Sequence, residues 1–117
     1  RLSTAVALPE SPLNTPDADD WAGGGVAPGW PALDAPLGDA WLLERLGRGF
    51  VLLADRDLAM AGIGTIAAGE DDELLRARYA LAPGAAYLIR PDSYVCARWH
   101  APDEAAIRAA LLRAKGN

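Results

Sequence analysis

The 117-residue sequence contains one cysteine, Cys96, and one histidine, His100. A lone cysteine cannot form an internal disulfide, and it cannot supply the thiolates of a cysteine-based zinc site. The chain also lacks a Cys-x-x-Cys pair, which thiol–disulfide exchange requires. No apolar run approaches the roughly 18 residues of a transmembrane helix. These absences exclude redox activity and a helical membrane anchor, and they fit a cytoplasmic setting.

Positive charge is also scarce, because 11 basic residues face 16 acidic ones and the net charge is −5. A nucleic acid backbone or an anionic membrane surface would repel such a chain, so neither is an expected partner. Apolar residues make up 51% of the sequence. A chain of this size and composition buries roughly two-thirds of its unfolded surface. We therefore predict one domain with a substantial core.

The N-terminal third is rich in residues that interrupt regular structure. Six prolines and the run Gly23–Gly25 fall within the first forty residues, so long helices and central strands are not expected there. We predict that residues 1–38 form a lead-in or linker that lies over the surface of a domain at residues 39–117. Its expected anchors are Trp21, Trp30 and Leu33. The apolar start is too short for a signal peptide. Because the chain begins with Arg and not Met, it is either a processed product or a piece of a longer protein, and a piece is the favoured interpretation.

Hydrophobic periodicity predicts seven elements after this lead-in. They are a short helix at 40–46, strands at 50–54 and 61–67, a helix at 70–81, a hairpin at 87–99 and a helix at 102–115. This order is typical of a small α/β sandwich with a C-terminal β-hairpin and helix. Only six residues separate the first two strands, whereas a parallel crossover usually takes a dozen or more. Either a crossover helix is lost, or residues are missing, or the two strands do not both join the sheet.

The hairpin prediction rests on alternating side chains around the turn signal Pro91-Asp92. Before the turn, Tyr87 and Ile89 share one face, and Leu88 and Arg90 share the other. After it, strict alternation groups Tyr94, Cys96 and Arg98 on one face and Val95, Ala97 and Trp99 on the opposite one. Arg90 and Arg98 then either meet a partner's carboxylates or face solvent on a half-exposed sheet, and the second interpretation is favoured.

Few residues suggest chemistry. The segment 62–67 matches Gly-x-Gly-x-x-Ala, but helix signals begin only at Glu70, so glycines packed within a strand are the favoured interpretation. Gly23–Gly25 is not followed by Gly-Lys-Ser/Thr and is no phosphate loop. Cys96 is predicted to be a small buried hydrophobe, and His100 a surface or helix-entry residue with no nucleophile to serve.

Two acidic sets remain, and neither has the spacing of a calcium loop. Asp17, Asp19 and Asp20 are interpreted as a solvated linker. Residues 70–73 are interpreted as the start of a helix, where the helix dipole favours negative charge. We therefore predict no catalytic, cofactor-binding or metal-binding residue in this chain.

Four stretches nevertheless carry a family resemblance. They are Leu8-Pro9-Glu10-Ser11-Pro12-Leu13; Gly25-Val26-Ala27-Pro28-Gly29 leading to Asp34-Ala35-Pro36-Leu37; Leu43-Glu44-Arg45-Leu46-Gly47-Arg48-Gly49-Phe50-Val51-Leu52-Leu53; and Leu88-Ile89-Arg90-Pro91-Asp92 with Val95 and Arg98-Trp99. In these, the chain resembles the C-terminal domain of class A FAD-dependent aromatic-ring hydroxylases, the group that includes phenol hydroxylases and polyketide-tailoring oxygenases. The likeness covers nearly the whole chain, although Ser93 stands where the family usually has glycine.

The resemblance implies a thioredoxin-like fold that lacks the redox site and follows flavin and substrate domains. The family's flavin fingerprint and pocket residues lie upstream, so no functional residue carries over to this chain. The parent protein is then expected to be a monooxygenase that uses FAD and NAD(P)H, whereas this chain alone is neither an enzyme nor a cofactor carrier. Its expected partners are the upstream domains, with a homo-oligomer also possible. The alternative is a free-standing thioredoxin-like binding module without redox activity.

Overall fold

The computed structural model describes residues 7–116, a mixed α/β sandwich with two sheets. The first six residues of the predicted lead-in and Asn117 lie outside the described residues. The strands are β1 (Pro36–Leu37), β2 (Ala40–Trp41), β3 (Val51–Ala54), β4 (Gly64–Ala67), β5 (Ala86–Ile89) and β6 (Val95–Trp99). A 3-10 helix spans Leu42–Arg45, and the α-helices are α1 (Glu73–Arg78) and α2 (Glu104–Ala114). The predicted α/β class, C-terminal hairpin and final helix are confirmed.

The central sheet has the strand order β4-β3-β5-β6. Strands β3 and β4 are parallel neighbours, with Leu52 opposite Thr65, and the other two pairings are antiparallel. Every residue of β3 is buried, as its unbroken apolar run predicts for a central strand. Both predicted strands therefore lie side by side in the sheet. Because the two strands pair with each other, the alternative that one of them lies outside the sheet is wrong. Residues 55–63 connect them without a helix.

The hairpin is confirmed, but its second strand contains a bulge. Leu88 pairs with Ala97 whereas Ile89 pairs with Val95, so one extra residue, Cys96, sits in β6. A bulge shifts the alternation by one position. The predicted grouping of Cys96 with Arg98 is therefore wrong: Arg98 lies opposite Tyr87 on one face, and Cys96 packs with Leu88 on the other.

The turn at Arg90–Ser93 closes with a hydrogen bond from the Ser93 amide to the Arg90 carbonyl at 2.8 Å. Ser93 has φ +68°, a left-handed conformation that costs a residue with a Cβ about 1–2 kcal/mol. The serine thus keeps the backbone shape for which glycine is the usual residue.

The sheet has a separate core on each face. On the first face, Tyr87, Ile89 and Val95 pack with residues of the lead-in, the 3-10 helix and α1. On the second face, Leu52, Leu88 and Trp99 pack with α2. Both faces are covered, which explains why all residues of β3, β5 and β6 are buried.

The described part of the lead-in covers both a face and an edge of the sheet. The Gly29 amide donates to the Val95 carbonyl at 2.8 Å, and the Val95 amide donates to the Trp30 carbonyl at 2.9 Å, so the chain runs along the outer edge of β6. Trp21 is a buried anchor as predicted, but Trp30 and Leu33 remain about half exposed. The boundary at residue 38 stays a prediction.

The predicted helices are shorter than expected. Residues 40–46 contain only the 3-10 turn, because Ala40–Trp41 pairs with β1. Helix α1 begins at Glu73, since the Asp72 carboxylate accepts the amides of Gly69 and Gly38 at 2.7 and 2.9 Å. Helix α2 begins after its N-cap Asp103, whose side chain accepts the Ala106 amide at 2.8 Å. Leu112 of α2 is exposed.

Candidate functional site

Where the lead-in crosses the first face of the sheet, it meets a group of polar and aromatic side chains, which we call the Arg98 cluster. Strands β5 and β6 supply Tyr87 and Arg98, and His100 follows directly after β6. The lead-in supplies Asp17 and Trp21. Here titratable and aromatic side chains of the lead-in contact those of the sheet, so we take this set as the candidate site.

Arg98 is the centre of the cluster and is only 6% exposed. Its Nε and Nη2 donate to the two carboxylate oxygens of Asp17 at 3.0 and 2.8 Å. Its Nη1 donates to the Gly24 carbonyl at 2.9 Å, and its guanidinium lies 4.4 Å from the centre of the Trp21 ring. Burial disfavours the charge, but the hydrogen bonds with Asp17 and Tyr87 outweigh it and raise the pKa of Arg98. Arg98 therefore faces neither solvent nor a partner, contrary to both predicted alternatives.

Two tyrosines extend the cluster toward α1. The Tyr87 hydroxyl donates to the Tyr79 carbonyl at 2.6 Å and accepts the Val26 amide at 3.3 Å. The Tyr79 hydroxyl donates to the Leu33 carbonyl at 2.6 Å. Burial raises the pKa of both phenols above their ordinary range, so both hydroxyls stay protonated near neutral pH. The two hydroxyls join the lead-in to the sheet and to the end of α1.

His100 is fixed by the lead-in. Its ring stacks on Trp21 with 4.2 Å between ring centres, and its Nε2 lies 2.9 Å from the Asp20 carbonyl oxygen. Its amide donates to the Asp19 carboxylate at 2.9 Å. The interpretation of Asp17, Asp19 and Asp20 as a solvated linker is incomplete: Asp17 and Asp20 are exposed, but the carboxylates of Asp17 and Asp19 also bind Arg98 and the His100 amide. Sequence spacing gives no signal for these contacts, which join positions about eighty residues apart.

The chemistry open to the Arg98 cluster is limited. Its polar side chains bond to one another or to the backbone. The exception is Trp21 Nε1, which is the one buried side-chain nitrogen or oxygen in the described residues without a hydrogen-bond partner. Among residues 7–116, no group of three or more His, Cys, Asp and Glu side chains is placed to hold a metal ion. The arrangement is suited to fastening the lead-in onto the sheet.

A second ionic centre lies just after the last residues of β3 and β4, at the same end of the sheet as His100, and it was not predicted from the sequence. Arg76 of α1 donates to the Asp55 carboxylate at 2.6 Å, and to the carbonyls of Gly69 and Ala68 at 2.8 and 2.9 Å. Asp55 also accepts the Gly84 amide at 2.9 Å. One arginine thus joins the residues that directly follow β3 and β4 to α1. The hydrogen bonds from Arg76 and then Gly84 lower the pKa of Asp55.

Asp55 should therefore make stability depend on acid pH. Its pKa is lower in the folded chain than the unfolded value of about 3.9, so its stabilisation is present above that value and is lost as pH falls through the folded pKa. We expect Asp55→Asn to lower the free energy of unfolding by about 2 kcal/mol near pH 7, the scale of hydrogen bonds to charged groups. Urea denaturation between pH 7 and pH 2.5 measures the difference, which should shrink below about pH 4.

Asp92→Asn is the matched control, because Asp92 pairs with Arg90 at the exposed hairpin turn. Exposed pairs contribute about 0–1 kcal/mol, so little change is expected at any pH. A difference between wild type and Asp55→Asn that stays constant from pH 7 to pH 2.5 would contradict the assignment.

The remaining sequence candidates do not form a site. Cys96 is completely buried, and burial raises the pKa of its thiol to about 12, so it is a core residue and no thiolate nucleophile. Residues 64–67 of the glycine motif form β4, and the next helix begins only at Glu73. That is not the strand–loop–helix geometry of a dinucleotide loop. No helix within residues 7–116 is both long and apolar enough to cross a bilayer.

Two surface grooves adjoin the lead-in. The first has a volume of about 240 Å³ and a lining of Gly25, Val26, Ala27, Trp30, Pro31 and Leu33. The second, of about 400 Å³, lies between the start of the described lead-in and Arg113 of α2, with Asp17 on its border. The first groove is therefore built entirely from the lead-in.

No family model and no curated protein sequence matches the chain, but solved structures do. Substrate-free RebC, a rebeccamycin biosynthetic enzyme, matches with a TM-score of 0.66 and 21% identity over 91% of this chain and 21% of its own. RebC with reduced flavin matches with a TM-score of 0.60 and 25% identity over 89% of this chain and 22% of its own. Aklavinone-11 hydroxylase, in complex with FAD and aklavinone, matches with a TM-score of 0.64 and 20% identity over 92% of this chain and 26% of its own.

Two of these structures contain a flavin, reduced flavin in RebC and FAD in aklavinone-11 hydroxylase. They confirm, at the level of the fold, the resemblance found in the sequence to a C-terminal domain of FAD-dependent aromatic hydroxylases. The chain spans between a fifth and about a quarter of the length of the structures it matches.

Proposed function

We propose that this chain is the C-terminal, non-catalytic domain of an FAD-dependent aromatic-ring monooxygenase that uses NAD(P)H. The observation that carries the proposal is the fold match, which includes about nine-tenths of this chain but only 21% to 26% of RebC and aklavinone-11 hydroxylase. Those structures were determined with reduced flavin in one case and with FAD and aklavinone in another. FAD is accordingly assigned to the parent protein.

The side chains support a structural role. Arg98 and Arg76 each hold several segments of this chain together. The hydroxyl groups of Tyr79 and Tyr87 donate hydrogen bonds to backbone carbonyls of the same chain. A catalytic acid or base instead needs a titratable group near the working pH and within reach of a substrate. The domain would thus contribute stability and contacts to the upstream flavin and substrate domains. A cytoplasmic location stays a prediction from composition.

We also propose that the fold is thioredoxin-like. Two parallel strands, an antiparallel hairpin and a final helix support this class, with strand order β4-β3-β5-β6. The short connection at residues 55–63 replaces the helix expected between β3 and β4. Arg76 binds the carboxylate of Asp55, the first residue of this connection. In a redox-active member of the class, the cysteines would lie at this position, just after β3.

The test compares the 117-residue chain with the product of its complete reading frame. We expect the complete protein to purify with stoichiometric FAD and to oxidise NAD(P)H, and the chain alone to be colourless and inactive. Flavin absorbance and NAD(P)H consumption are the measurements. Stoichiometric FAD on the chain alone would overturn the non-catalytic assignment. A reading frame that starts just before Arg1 would favour the alternative, a free-standing thioredoxin-like binding module.

A further inference from the structure

Large exposed hydrophobic side chains are unevenly distributed over the described residues. Besides Leu8 near the start of the lead-in, five of them lie on the rest of the lead-in, β2, the 3-10 helix and α1: Trp30, Leu33, Trp41, Leu43 and Leu74, with exposures of 40% to 51%. Helix α2 covers the opposite face of the sheet, and its one large exposed hydrophobic side chain is Leu112. A single exposed apolar residue is ordinary, but several on one layer indicate a surface that binds something. We call these five residues the apolar surface.

Hydrogen bonds hold the segments of the apolar surface in place. The Tyr79 hydroxyl fixes the Leu33 carbonyl at 2.6 Å, and the Leu43 amide donates to the Asp34 carboxylate at 3.0 Å. The Arg78 guanidinium donates to the Asp34 carbonyl, which ties α1 to the lead-in. The surface is therefore part of the folded layer, and its side chains are presented on a fixed backbone.

The apolar surface also contains a recess. Trp30 and Leu33 border the groove of about 240 Å³, and the Trp30 backbone is fixed by its bond from the Val95 amide at 2.9 Å. A groove of this size between two half-exposed apolar side chains can accept one or two side chains of a partner. Anchors of this kind contribute most of the binding energy of interfaces.

Charge and length point to one occupant. Each chain has a net charge of −5, so two copies meeting face to face would repel one another. In RebC and aklavinone-11 hydroxylase the same fold is only 21% to 26% of the polypeptide, so most of such a chain lies outside the fold described here. Resting on the proposed function, we propose that the apolar surface packs against the upstream part of the same polypeptide.

Hydroxyl-radical footprinting of the complete protein and of the 117-residue chain tests this assignment. We expect oxidation of Trp30, Trp41 and Leu33 to fall at least fivefold in the complete protein, because the partner removes water from them. Leu112, exposed on the opposite face at 55%, is the matched control and should be oxidised equally in both. Equal oxidation of Trp30 and Trp41 in the two forms would overturn the proposal.

A variant provides a second readout. The double substitution Trp30→Lys and Leu33→Lys in the complete protein should speed proteolytic release of this domain about tenfold or more, and Leu112→Lys should not. If the 117-residue chain is dimeric and the double substitution makes it monomeric, a second copy is the occupant and the proposal is wrong. A reading frame without an upstream domain also overturns it. An upstream domain that binds no flavin would refute the proposed function but leave the footprinting result valid.

Discussion

Replacing Arg98 with methionine is expected to lower the free energy of unfolding by about 3 kcal/mol, the lower end of the cost of breaking a buried ion pair. Methionine fills similar volume but leaves the Asp17 carboxylate without its bidentate partner and the Gly24 carbonyl without a donor. It also removes the cation from the Trp21 ring. The Asp17 side chain is 29% exposed, so water can rehydrate it, which keeps the cost at the lower end.

Urea denaturation followed by tryptophan fluorescence measures this change. Arg108→Met is the matched control, because Arg108 forms an exposed pair with Glu104 on α2 and such pairs contribute about 0.3–0.5 kcal/mol. A double-mutant cycle with Asp17→Asn isolates the ion pair, with an expected coupling of about 1–3 kcal/mol. If Arg98→Met costs no more than Arg108→Met, the lead-in is not fastened through this arginine.

Local sequence patterns were sufficient to predict the framework of the fold. The apolar run of β3, the turn residues Pro91 and Asp92, and the period of α2 each reflect short-range chemistry, and all three elements are present. Helix ends were less predictable, because they depend on side chains that compete for backbone amides. Asp72 delays the start of α1 to Glu73 by accepting the Gly38 amide, and Gly38 is far from it in the sequence.

The candidate site could not be predicted in this way. Strict alternation places Arg98 with Cys96, and one bulged residue reverses that assignment. Arg98 is buried because Asp17, Gly24 and Trp21 cover it, and no local pattern shows that a Pro- and Gly-rich segment folds back onto a strand about eighty residues later. The sequence did identify Trp21 as an anchor, although not its contacts with Arg98 and His100.

Gly25→Ala is expected to destabilise the fold strongly, because Gly25 lies where the lead-in meets the two buried tyrosines. Gly25 has φ +67°, and an added Cβ would lie 2.2 Å from the Tyr87 hydroxyl and 3.0 Å from the Tyr79 carbonyl. The left-handed backbone costs alanine about 1–2 kcal/mol. Overpacking that displaces the Tyr87 hydroxyl adds about 1–3 kcal/mol. We expect a loss of about 4 kcal/mol in the free energy of unfolding, or failure to fold.

Gly23→Ala separates the two contributions. Gly23 has a similar φ of +76°, but an added Cβ there would meet nothing within 4 Å, so only the backbone cost of about 1–2 kcal/mol is expected. Chemical denaturation of both variants gives the comparison. In Tyr87→Phe the hydroxyl that the added Cβ meets is gone, so Gly25→Ala should cost less in that background than in wild type. Equal losses for Gly23→Ala and Gly25→Ala would show that the close approach of the lead-in to Tyr87 does not determine stability, because backbone strain alone would then account for both.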